Sequence, residues 1–67
     1  MIDNNNAKEE LFRLRCKYGK TQEQVSEGSG VSRITVNRIE NGKLAPETLR
    51  AFTFFKFNEY FKRLGEK

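Results

Sequence analysis

The stretch Lys20-Thr21-Gln22-Glu23-Gln24-Val25-Ser26-Glu27-Gly28-Ser29-Gly30-Val31-Ser32-Arg33-Ile34-Thr35-Val36-Asn37-Arg38-Ile39-Glu40-Asn41-Gly42-Lys43 carries two helix starts and two helix stops. Thr21-Gln22-Glu23-Gln24 matches the capping box, in which a hydroxyl accepts from the third helical amide and a Glu or Gln side chain reaches back to the cap residue's own amide. A helix therefore opens at Thr21. It is expected to run only to about Gly28, because Gly28-Ser29-Gly30 is a local breaker and glycine takes positive φ at little cost. Ser32 offers a second N-cap oxygen, Ile34 or Val36 and Ile39 follow at helical spacing, and Gly42 closes the segment. Two short helices joined by so few residues must turn sharply against each other, which is the geometry of a helix-turn-helix unit.

Upstream, Ala7 to Tyr18 places Leu11, Leu14 and Tyr18 on one helical stripe with Phe12 beside it, and Gly19 suits a left-handed cap. Downstream, Ala45-Pro46-Glu47 starts another helix, with proline tolerated in the first turn. No Gly or Pro interrupts the chain from Pro46 to Leu64. No stretch alternates cleanly enough to be a strand. The expectation is an all-α fold of four to five helices. Residues 1–6 form a flexible N-terminus, residues 7–64 a single domain with an aromatic-rich C-terminal helix over 46–64, and residues 65–67 a tail. Val25, Val31, Val36, Ile39, Leu11, Leu14, Leu49 and Phe52 are expected to face inward.

A chain of 67 residues is near the lower limit for one unstapled core, and its mean hydropathy of -0.80 leaves few apolar side chains to build it. Cys16 is the only cysteine and histidine is absent, so neither an internal disulfide nor a Cys/His zinc set is possible. Cys16 reads as a small core or boundary residue. No cofactor, metal or small-molecule substrate is expected, and no nucleophile and base stand paired, so the chain does not read as an enzyme. No apolar run approaches a membrane span, and the polar start is unlike a signal peptide, which points to the cytoplasm and no membrane partner. The net charge of +4 favours a polyanion if the charge gathers on one face.

The match Lys20-Thr21-Gln22-Glu23-Gln24-Val25, then Gly30-Val31-Ser32-Arg33, then Arg38-Ile39-Glu40-Asn41-Gly42-Lys43 resembles the Cro/C1-type (XRE-like, phage repressor-like) helix-turn-helix family. The resemblance runs from Leu11 to Phe52 and implies a compact lambda-repressor-like domain that binds double-stranded DNA. The recognition helix would be 32–41, pushed into the major groove, where arginine can donate two hydrogen bonds to guanine O6 and N7. Arg33, Ile34 and Arg38 match positions that often face bases, and Thr35 and Asn37 match nearby groove positions. Gln22 looks like the glutamine that braces phosphate and base contacts, with Thr21, Asn41 and Lys43 beside the phosphate backbone. Arg15 and Glu40 stand where the family commonly forms an internal ion pair. Ser26 and Ser29 stand where the family usually has alanine and a larger apolar residue and thin the packing beneath the turn, while Gly28 costs about 1 kcal/mol of helix propensity relative to alanine, so that the helix ends early or is loosely held.

The C-terminal segment departs further. Phe54, Phe57, Phe61 and Leu64 define one helical stripe, whereas Leu49, Phe52 and Phe55 define another rotated from it. Either the helix breaks near Asn58, a possible N-cap, and both halves fold onto one core, or a surplus aromatic face is exposed for a partner. In the second case Phe54, Phe57, Tyr60, Phe61 and Leu64 are the expected interface, with a second copy or a second regulatory protein. The leading reading is a transcriptional regulator, a repressor or Cro-like switch of a phage or mobile element. The alternative is a modulator, antirepressor or antitoxin-like protein that binds a regulator or toxin through this helix.

Overall fold

Thr21 Oγ1 accepts from the Gln24 amide at 3.0 Å and Gln24 Oε1 accepts from the Thr21 amide at 2.9 Å, so the capping box is complete. It opens the second of four helices in the computed structural model, which describes residues 1–43 and 51–66. These are α1 (Ala7–Lys17), α2 (Gln22–Ser29), α3 (Arg33–Glu40) and α4 (Ala51–Leu64), and no strand occurs among the described residues. The domain is all-helical and lambda-repressor-like, with α2 and α3 as its helix-turn-helix. The expected start of the last helix at Pro46, and Leu49 with it, lie outside the described residues.

The turn between α2 and α3 depends on Gly30, whose φ of 80° in the left-handed region is costly for residues with a Cβ. Its amide closes α2 on the Ser26 carbonyl, and Ser32 Oγ then accepts from the Ile34 amide to open α3. Helix α2 ends at Ser29, within one residue of the expected end at Gly28. Gly28 itself meets α4. A Cβ on Gly28 would overlap the Tyr60 ring, and Arg63 Nη2 donates to the Gly28 carbonyl at 2.8 Å. The bare backbone of Gly28 is where α4 seats on α2.

Leu11, Leu14, Val25, Val31, Val36 and Ile39 are all buried, which brings α1, α2 and α3 onto one core. Phe54, Phe57, Tyr60 and Phe61 complete it from α4, with Tyr18 and Leu64 partly buried against it. This corrects the expected partner face. Phe57 is 0% and Phe61 1% exposed, so the stripe assigned to a partner is the one the small core consumes. The rotated stripe is the exposed one: Phe52, expected inside, is 65% exposed and Phe55 59%. Asn58 does not break α4 either. Its side chain is a clamp, with Oδ1 accepting from the Ile2 amide at 2.8 Å and Nδ2 donating to the Ile2 carbonyl at 3.0 Å.

That clamp corrects the expectation of a loose N-terminus. Ile2 is 1% exposed and belongs to the core, while the polar residues after it satisfy one another. Asp3 Oδ1 accepts from the amides of Asn5 and Asn6, and Asn6 Oδ1 accepts from the Asp3 amide. At the other end, Glu66 is tied to α1 by Lys17 Nζ at 2.8 Å and the Tyr18 hydroxyl at 2.9 Å, so residues 65–66 are also docked.

Candidate nucleic-acid interface

Helix α3 has two unlike faces because Val36 and Ile39 stand three apart on one of them. Val36 and Ile39 are fully buried, so Arg33, Ile34, Asn37 and Arg38 are turned into solvent, and Ile34 is 64% exposed. Thr35 is half-buried at the edge of this face. Arg33, Ile34, Asn37 and Arg38 line a hollow of about 430 Å³ together with Gln22 from the first turn of α2 and with Asn41 and Lys43 beyond the end of α3. Among the described residues, three cationic side chains and no carboxylate line it. The hollow suits an anionic, hydrogen-bond-accepting surface.

Thr21 is exposed at the start of α2 but is not among the lining residues, and its hydroxyl oxygen is already engaged in the cap. Asn41 is the C-cap residue of α3, and its amide bonds back to the Asn37 carbonyl. Gly42 and Lys43 turn their amides to the Ile39 and Arg38 carbonyls, at 3.0 and 2.8 Å, and the Lys43 side chain is exposed.

Beneath the hollow, Arg15 of α1 grips Glu40 of α3 with two parallel bonds, Nε to Oε2 at 2.7 Å and Nη2 to Oε1 at 2.9 Å. Arg15 Nη1 also donates to the Lys20 carbonyl at 3.1 Å, which ties the α1–α2 connection to the same centre. The hydrogen bonds to Glu40 push the Arg15 guanidinium pKa up against the opposing effect of burial. The pair extends toward the surface. Gln22 Nε2 donates to Glu40 Oε1 at 3.2 Å, Asn37 Nδ2 donates to Gln22 Oε1 at 3.2 Å, and Asn41 Nδ2 donates to Asn37 Oδ1 at 3.0 Å. Sequence spacing could have suggested only the last link, since Asn37 and Asn41 are one helical turn apart. The others join residues 15 and 18 positions apart and come from tertiary packing.

A helix-turn-helix family model matches residues 11–56, more than half of the 67-residue chain and inclusive of α2, α3 and the hollow. The chain belongs to this Cro/C1-type, XRE-like helix-turn-helix family. It is a DNA-binding helix-turn-helix protein of a regulatory class, and the family is not one of enzymes. Comparison with curated proteins and with solved structures finds no match. Among the described residues no helix is long and apolar enough to cross a membrane.

Proposed function

We propose that the protein is a cytoplasmic, sequence-specific regulator of transcription, a repressor or Cro-like switch of a phage or mobile element, that lays α3 in the major groove. The observation that supports this most is the exposed leading end of α3 above a fully buried inner face. A rod held by Val36 and Ile39 and projecting Arg33, Ile34, Asn37 and Arg38 has the form that a groove about 12 Å wide admits. Arg33 takes a guanine edge, Ile34 packs on a thymine methyl, and Thr35, Asn37 and Arg38 extend the contact. Thr21, Gln22, Asn41 and Lys43 hold the phosphate backbone and set register. The test is selection from a randomised duplex library followed by mobility shift. Wild type selects a defined site, and Arg33→Ala loses roughly 1–3 kcal/mol of discrimination at one base pair while keeping salt-dependent non-specific binding. Selection of no site by the wild type would falsify the reading.

A second contact is supported by the exposed aromatics of α4. Phe52 and Phe55 sit on solvent with Lys56 Nζ 4.5 Å from the Phe52 ring centroid, and Phe55 borders an apolar hollow of about 630 Å³ between α4 and the N-terminal segment. A second copy of the chain joined here would present paired recognition helices, which palindromic half-sites about 34 Å apart would require. Sedimentation of the wild type against Phe52→Ser/Phe55→Ser tests it, with loss of a dimer as the expected result.

A further inference from the structure

We infer that Glu40, besides pairing with Arg15, is a positioning residue for DNA recognition that fixes which way the Gln22 and Asn37 amides face the groove. This rests on the DNA-binding reading above and adds a specificity-determining role within it. An ionised carboxylate can only accept hydrogen bonds. Gln22 must therefore offer its NH2 end to Glu40 Oε1, at 3.2 Å. Its carbonyl end is then left for Asn37, which must answer with its own NH2 end, also at 3.2 Å. The Asn37 carbonyl end in turn receives Asn41 Nδ2 at 3.0 Å. Reversing any one amide would set oxygen against oxygen or NH2 against NH2 along the chain. One acceptor-only carboxylate, its side chain 7% exposed, thus dictates the sense of three amides, that of Gln22 half-buried and those of Asn37 and Asn41 exposed.

The sense of an amide matters because its two ends are nearly the same size and opposite in hydrogen-bonding character. A free asparagine turns over and meets adenine N6, a donor, or thymine O4, an acceptor, with the appropriate end. An asparagine pinned at both ends shows the groove one fixed pattern, with one N–H and one lone pair already used inside the protein. Discrimination by Asn37 then depends on Glu40, which is not among the residues lining the hollow, and among the described residues Gln22 is the side chain that hydrogen-bonds to both. Gln22 also connects without being part of the ion pair, so it can be removed while Arg15 and Glu40 still hold each other.

The experiment compares sites selected from a randomised duplex library by wild type, Asn37→Ala and Gln22→Leu, each shown by thermal melting to be folded. Asn37→Ala identifies the base position that Asn37 specifies. The expected result is that Gln22→Leu reduces discrimination there from about tenfold to about twofold while the position specified by Arg33 keeps its preference. In the free proteins, NMR should show close approach of the Asn37 side-chain NH2 to Gln22, and slowed exchange of those protons that is lost in Gln22→Leu. The inference is overturned if Gln22→Leu weakens all sites by one common factor, the behaviour of a phosphate contact alone, or if Asn37→Ala changes no base preference. A wild type that selects no sequence overturns the DNA reading and this role together, whereas failure of this role alone leaves wild-type selection intact.

Discussion

Lys43 and Glu40 are three residues apart yet belong to different kinds of interaction. Lys43 is exposed past the end of α3, and among the described residues no carboxylate lines its hollow. Such a cation gains affinity by releasing counterions from DNA, which depends on phosphate and not on base. Lys43→Ala is expected to weaken every site by a similar factor and to reduce the slope of log K against log salt by about one, read from titrations at several salt concentrations. Glu40 is different because its side chain is 7% exposed and its Arg15 partner 19%. Replacing it with alanine strands a guanidinium that has lost two bonds and retains the Lys20 carbonyl. We expect Glu40→Ala to cost about 3 kcal/mol, the lower end for an uncompensated buried charge because Arg15 keeps some access to water. Urea melts at neutral pH check this, and a change below about 0.5 kcal/mol would place the pair among ordinary surface ion pairs.

Helix α4 shows how one residue outside an element decides its packing. Glycine inside a helix ordinarily costs about 1 kcal/mol relative to alanine, so Gly28→Ala should stabilise α2 if propensity alone counted. The Tyr60 ring occupies the place of the missing methyl, and overpacking typically costs 1–3 kcal/mol or more. The expected sign is therefore destabilising, and Gly28→Ala combined with Tyr60→Leu should recover part of the loss in denaturant melts. Additive effects of the two changes would overturn the contact. The same residue explains what could be read from the chain and what could not. Caps and glycine stops are local chemistry, so Thr21, Gln24, Ser32 and Gly30 identified α2 and α3 without the fold. The two aromatic stripes were also visible as periodicity. Which stripe turns inward depended on where α4 finds a surface without a side chain, and Gly28 read only as a breaker. Ile2 was missed for a related reason: a single apolar residue in a polar run has no period, and its burial depends on Asn58, 56 positions away.

Over the whole molecule, a small core is helped by side chains that tie its ends to its first helix. Arg13 bonds Glu10 at 2.7 Å and lies 3.6 Å from Glu66, which Lys17 and Tyr18 also hold. Bonds from Lys17 and then Tyr18 hold the Glu66 carboxyl below its ordinary 4.5, and the bond from Arg13 does the same for Glu10. Because both folded-state values are lowered, the unfolded chain binds these protons more readily. The stabilisation is fully present above about pH 4.5 and is lost as the pH falls from there through the lowered values. Both carboxylates lie near the surface, so salt screens their contribution and it is modest at any pH. The informative quantity is thus the shape of the acid limb. Glu66→Gln keeps the size of the side chain and removes its charge, so it should melt slightly below the wild type at neutral pH. The two melting curves should converge as the pH drops below 4.5, because protonation makes the wild-type tail equivalent to the variant. Adding salt at neutral pH should narrow the same gap. A gap that stays constant into acid would mean that the tail is held by Tyr18 and backbone contacts, such as the Glu66 amide on the Phe61 carbonyl, and not by charge.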